Sequence, residues 1–286
     1  MILVIPSILR YNRQLRTLPI IPEESSLSMS EYLDDFRERN PKGSTIVSIA
    51  SDGGGLKANL WNLLVLQDEL ERNPNFLNNV LSLSGVSGGA IGLANFLPLN
   101  FDNNVGSNKA AIIDDIGNTN VLSIDFAGVF MRDWILHNYW FTQNRSRSYY
   151  AMRAYQRALG LSESMDIDTY RSYWQRLYDQ SEDCIPMLVM NSTSTSHEQG
   201  YALSVTHGED ELPNNLDILS HGDSSLSYFN AVSTTNRFPI ASPAARIKGK
   251  GYFVDGGYFE NSGLQVAGDI FQRALDLDTS LSLIHI

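Results

Sequence analysis

Cysteine is almost missing from this 286-residue chain: only Cys184 occurs. One thiol makes no internal disulfide and no Cys-rich metal site, which excludes a disulfide-stapled scaffold and a zinc module. Within "EDCIPMLVMN" it reads as a packed core-strand residue suited to a reducing compartment. Basic residues are scarce too. With 21 Lys and Arg against 32 Asp and Glu the net charge is −11, so the clustered cationic footprint of a nucleic-acid binder is excluded. The same charge gives no pull toward an anionic bilayer, and any transient membrane-surface contact would have to come from apolar surface. Long hydrophobic runs are absent. The opening "MILVIPSILRYN" is broken by Pro6 and stopped by Arg10, far short of the roughly 20 residues of a membrane-spanning helix. It also lacks the small-residue cleavage site of a secretory signal. It reads as a docking strand or the remnant of a longer N-terminal region. The closing "DLDTSLSLIHI" ends without a polar tail, as a truncated C-terminus would. The expected location is cytoplasmic or membrane-associated.

What is present is an ordinary globular composition, 43% hydrophobic and 19% charged, enough for one large core. Residues 1–43 read as an N-terminal extension and linker, with a short amphipathic helix in "LSMSEYLDDFRER" before a turn at Pro41–Gly43. Residues 44–286 read as one α/β domain. "STIVSIA" (44–50) is of strand type, and "LKANLWNLLVLQDELE" sets Leu56, Leu60, Leu63, Leu64 and Leu70 at helical spacing. "NNVLSLS" is a second strand and "GGAIGLANFL" a second helix. Strand, Gly-rich turn, helix, twice over, predicts a mostly parallel sheet with right-handed crossovers in a three-layer α/β/α fold. Further strands are expected at 184–193, 201–205 and 252–254, and a helix over 227–238 that stops before Pro239. The segment 126–159, with Trp134, Trp140, Tyr149 and Tyr150, is aromatic and mostly helical in pattern, of core type first and acyl-channel type second.

The Gly-rich turns fall at strand ends, where ligands bind in open parallel sheets. Gly85-Val86-Ser87-Gly88-Gly89 fits G-x-S-x-G, the strand-to-helix elbow that presents a serine side chain. The pattern alone arises by chance in about one chain in ten of this length; a strand before and a helix after raise its weight, since a helix N-terminus favours developing negative charge. "DGGG" at 52–55 could aim the backbone N–H groups of Gly53, Gly54 and Gly55 at one point, which is what a tetrahedral oxyanion needs. The alternative is a plain βα turn. No P-loop follows, and "GVSGGAIG" fails G-x-G-x-x-G, which argues against phosphate and dinucleotide sites.

A serine nucleophile also needs a base. His137, His197, His207, His221 and His285 are the five imidazoles, and none stands in persuasive context. Asp255 ends a strand and opens the turn at Gly256-Gly257, on the sheet edge that carries Ser87. A carboxylate serves as a base directly if burial raises its pKa from about 3.9; an Asx turn or helix cap is the bland alternative. The Asn144-Arg145-Ser146 and Asn191-Ser192-Thr193 tripeptides read as chance matches to a glycosylation site.

"DGGG" after a strand, "GVSGG" some thirty residues on and a strand-terminal "DGG" far downstream resemble the patatin-like phospholipase family. "LVMNSTSTSHEQG" and "TNRFPIASP" resemble its supporting segments, so the likeness runs in order over roughly 44–270. It implies a serine lipid acyl hydrolase with a Ser87-Asp255 dyad, a Gly53-Gly54-Gly55 oxyanion hole, a lipid or phospholipid substrate, and no metal or cofactor. Gly85, Gly88, Gly89, Gly256 and Gly257 shape the two turns. Lys57 stands where the family commonly has Arg, keeping the charge without the bidentate fork, and Thr235-Asn236 stand where smaller residues are usual. Two rivals predict otherwise: a Ser-His-Asp esterase requires a histidine, and a non-catalytic lipid-binding module on the same fold requires no reaction. No feature sets an oligomeric state.

Overall fold

The computed structural model describes residues 17–22, 26–40, 44–121, 147–161, 168–181, 184–196, 198–208, 211–212, 215–219, 224–238 and 242–277. Trp134, Trp140 and the histidines 137, 197, 221 and 285 lie outside the described residues, as do both chain ends.

The fold is α/β, with a central sheet flanked by helices. After a short strand β1 (Ile20–Pro22), helix α1 (Met29–Arg39) starts on a capping box in which Ser28 and Glu31 exchange side chain-to-backbone hydrogen bonds. Its buried face, Met29, Tyr32, Leu33 and Phe36, follows the i, i+3, i+4, i+7 spacing of an amphipathic helix. Two βα units follow: β2 (Val47–Ser51) with α2 (Gly55–Arg72), and β3 (Val80–Val86) with α3 (Ser87–Phe101). Every residue of β3 is buried, as in a strand covered on both faces. Side chains alternate across a strand: Gly85 faces Ala90 of α3, whereas neighbouring Ser84 donates to the carbonyl of Gly263, just ahead of helix α8 (Leu264–Leu277). The two helices therefore cover opposite faces.

Helices α4 (Lys109–Asn118), α5 (Arg147–Ala158) and α6 (Tyr170–Gln180) lead to β4 (Met187–Ser194), β5 (Gln199–Leu203), β6 (Leu216–Asp217) and β7 (Ser224–Leu226). The short helix α7 (Tyr228–Val232) and strands β8 (Ala245–Ile247) and β9 (Gly251–Asp255) precede α8. The seven-stranded sheet runs β2-β3-β4-β5-β6, with β9 beside β4 and β8 beside β9. Strands β2, β3 and β4 are parallel, while β5 and β9 run antiparallel to β4. An aromatic cluster fills the space under α6: Tyr228 sits 4.5 Å from Tyr173 and 5.4 Å from Tyr170 between ring centroids.

The length and pairing of β4 position the site. Its first half pairs with β3 as far as Val86↔Asn191, and its continuation pairs with β9 from Ser192↔Asp255. The carboxyl ends of β3 and β9 thus meet beside one strand.

Three elements differ from expectation. The helix expected over 227–238 stops at Val232, because Ser233 and Thr234 donate their hydroxyls to the carbonyls of Asn230 and Ala231, at 2.8 and 2.7 Å, competing with helix continuation. Cys184 is buried but precedes β4 by three residues. On α2 the buried residues are Asn59, Leu63, Leu66 and Gln67, and Leu56 and Leu64 are exposed.

Candidate active site

Strand β3 passes directly into α3. Val86 is extended, and Ser87 then takes φ of 50°, the left-handed region that costs a non-glycine residue on the order of 1–3 kcal/mol. Among the described residues it is the sole non-glycine in that region. The turn is held from two sides. Ser87 donates its amide to Thr235 Oγ1 at 2.8 Å, and the Thr235 hydroxyl donates in turn to the carbonyl of Asn191 on β4. On the other side, a Cβ at Gly88 would collide with the carbonyl oxygen of Gly55 and one at Gly89 with Ser51 Oγ. Only glycine lets the first turn of α3 press against the 51–55 turn. Gly85 allows the same close approach on the strand side of the elbow, against Ala90.

Asp255 arrives from β9 with its backbone fully engaged. Its amide donates to the Arg237 carbonyl at 3.1 Å, and its carbonyl accepts from Thr193 Oγ1 at 2.9 Å. Gly256 donates to the Thr235 carbonyl at 3.1 Å, so the stretch that steadies Ser87 also steadies Asp255. Arg237, 1% exposed, braces that stretch: Nε donates to the Ser233 carbonyl and Nη2 to Ser233 Oγ, each at 2.7 Å. The carboxylate accepts from Ser87 Oγ at 2.7 Å through Oδ2 and from the Gly257 amide at 3.0 Å through Oδ1. Asp255 is 5% exposed. Burial raises its pKa above the usual carboxylate range, against the opposing pull of the hydrogen bonds from Ser87 and Gly257.

The glycine turn is arranged differently from the expectation of three convergent donors. The Gly53 amide is taken by the carbonyl of Asn261 at 2.9 Å, and Asn261 Nδ2 returns a 3.3 Å bond to the Gly53 carbonyl. Gly54 caps α2 and Gly55, at φ of 61°, begins it; their amides are first-turn donors of the kind a helix leaves unpaired, and neither has a partner among the described residues. The three glycines, Ser87 and Asp255 line one cleft of about 320 Å³ with Asn261, Phe238 and Tyr258. The rings of Phe238 and Tyr258 stack 6.1 Å apart.

Lys57 lies outside this cleft, exposed on α2 in an apolar groove with Leu60, Trp61 and Leu64. His207 belongs to another cluster: its Nε2 is 2.9 Å from the Tyr201 hydroxyl and 3.4 Å from Asp217 Oδ2, and Arg171 donates to the same Asp217 oxygen at 2.8 Å. Tyr149 and Tyr150 stack edge to face at 5.5 Å and do not line the cleft. Asn191 is buried in β4, where its side chain bonds Ser84, Gly85 and Gln199, so its tripeptide is no glycosylation site. In the sequence Thr235 stands out only for its size and Asn261 not at all; they act 148 and 208 residues along the chain from the groups they hold.

No protein-family model matches this chain, and no curated protein matches it. Among solved structures, VipD from Legionella pneumophila is similar over 77% of this chain and 47% of that chain, at 14% identity and a TM-score of 0.37. The chain spans about half the length of that protein. No helix among the described residues is long and apolar enough to cross a membrane.

Proposed function

We propose that this protein is a serine hydrolase of lipid acyl esters, phospholipids included. The observation that carries this reading is the 2.7 Å hydrogen bond from Ser87 Oγ to the buried carboxylate of Asp255, made from a strained elbow at the start of α3. Ser87 attacks the ester carbonyl and Asp255 takes its proton. The amides of Gly54 and Gly55 face the oxygen that becomes negative, with the N-terminal ends of α2 and α3 adding partial positive charge. Collapse expels the alcohol, protonated by Asp255, and leaves the acyl group on Ser87. Water then attacks the acyl-enzyme and gives its proton to Asp255; collapse releases the fatty acid as Asp255 returns the proton to Ser87 Oγ.

The ordered likeness of "DGGG", "GVSGG" and "DGG" to patatin-like phospholipases supports the lipid class, and so do the apolar rings at the rim of the cleft. A Ser-His-Asp arrangement needs an imidazole on Ser87 Oγ. That hydroxyl is bonded to Asp255, and His207 is held by Tyr201 and Asp217. Release of fatty acid from phosphatidylcholine, and of p-nitrophenol from a short ester, tests the proposal. Ser87→Ala is expected to lower both by on the order of 10⁴-fold or more while remaining folded. A folded wild type that cleaves neither substrate would leave the fold as a non-catalytic lipid binder.

A further inference from the structure

The placement of exposed apolar side chains is uneven. Nine large ones are exposed among the described residues: four on α2, Phe238, three in the stretch 258–264 after β9, and Ile20. Leu56, Trp61, Leu64 and Val65 lie along α2, whose first residue, Gly55, lines the cleft. Phe238 and Tyr258 line the cleft and form a second lip, with exposed Phe259 and Leu264 following Tyr258 in the chain. Trp61 is 69% exposed and Phe238 59%, and clustered exposure of large apolar side chains is a mark of an interaction site.

The α2 side of these residues is a groove of about 520 Å³ that meets the cleft at Gly54, and among the described residues Lys57 is the one charged residue lining it. Its face of α2 is turned away from the core, since Leu63, Leu66 and Gln67 supply the buried side. We propose that the two lips together are the face by which the protein lies on a lipid surface, and that it docks by inserting apolar side chains without drawing on anionic headgroups. This rests on the ester-hydrolase reading in one respect: the apolar lips lie beside the cleft through which an ester must reach Ser87. A protein seated there would close that cleft, whereas a lipid surface delivers substrate into it. Charge sets the mode of docking: a chain of net charge −11 gains nothing from an anionic membrane, so the apolar lips supply the binding through buried area.

The test uses the full chain carrying Ser87→Ala, so that no turnover alters the lipid. Co-sedimentation is measured with phosphatidylcholine vesicles and with vesicles containing phosphatidylserine, at low and high salt, alongside the same protein with Trp61→Ser and Val65→Ser added. The expected result is binding to phosphatidylcholine that is insensitive to salt and falls at least about tenfold with the two serines, both proteins keeping the same Tm. The proposal is overturned by any of three results: no sedimentation with phosphatidylcholine, binding that requires phosphatidylserine and vanishes in salt, or binding that the serines leave unchanged. Conversion of a self-associated protein to monomer by the serines, with no vesicle binding, would assign the face to a second copy instead. Vesicle binding without ester cleavage by the wild type would overturn the hydrolase reading and leave the docking face standing, so the two failures are told apart.

Discussion

At the residue scale, the feature that sets Asp255 apart is a carboxylate buried against a hydroxyl and one amide. Burial raises its folded-state pKa, so the native state holds its proton to higher pH than the unfolded chain does. The sign follows from linkage: native binds more protons than unfolded, and stability falls as pH rises from the unfolded value of about 3.9 through the folded one. Two outcomes are expected. The acid limb of kcat/KM lies above the ordinary Asp value, since Asp255 must be ionised to act as base. Asp255→Asn, whose Oδ1 can still accept from Gly257 while Nδ2 donates to Ser87 Oγ, lowers kcat/KM by at least about a hundredfold yet raises Tm at pH 7 and has no such benefit at pH 3. A pH–rate profile and thermal melts of the pair check both; an Asn variant less stable at pH 7 would show that the ionised carboxylate is worth more to the fold than its burial costs.

At the element scale, the two βα elbows were legible because their chemistry is local. A strand, a short glycine-rich turn and a helix follow within each unit, and "SDGGG" and "GVSGG" carry the turn in their own residues. Which face of α2 points inward was not legible, since its leucines are distributed around the helix and only the neighbouring sheet decides. Leu63 is buried and Leu64 exposed. Leu63→Ala is therefore expected to cost about 2–5 kcal/mol, and Leu64→Ala no more than about 0.5 kcal/mol, in urea unfolding; equal costs would mean that the helix is rotated. The early end of α7 was hidden for a related reason: hydroxyls at 233 and 234 act on carbonyls three residues back, a competition that the apolar pattern does not reveal.

At the scale of the whole molecule, sequence indicated an α/β fold, and the antiparallel entry of β9 beside β4 came from the structure. Nothing near Asp255 in the chain records that β9 enters beside the end of β3, because the partners lie 168 residues apart in the Ser87–Asp255 bond. The same holds for Asn261 on Gly53, which changes the count of free glycine amides from three to two. It also holds for the cluster of His207, Tyr201, Asp217 and Arg171, which joins β5, β6 and α6 far along the sheet. The His207 side chain is 6% exposed and Asp217's 10%. Desolvation pulls the His207 pKa down, but the bond to Asp217 and the Gly208 carbonyl outweigh it and the net shift is upward. Its stabilising contribution is then fully present below the unfolded value of about 6.5 and is lost as pH rises through the folded pKa. The Tm difference between wild type and His207→Gln is expected to be largest near pH 5.5 and to shrink toward pH 9; a difference that does not change with pH would rule out a charged His207–Asp217 pair.

The most direct measurement is the location and rate of a fluorophosphonate adduct, by mass spectrometry, in wild type, His207→Gln and Asp255→Asn. A Ser-Asp dyad predicts a single adduct on Ser87, formed equally fast in wild type and His207→Gln and at least about a hundredfold more slowly in Asp255→Asn. An adduct on another residue, or one on Ser87 that forms undiminished without the Asp255 carboxylate, would contradict it.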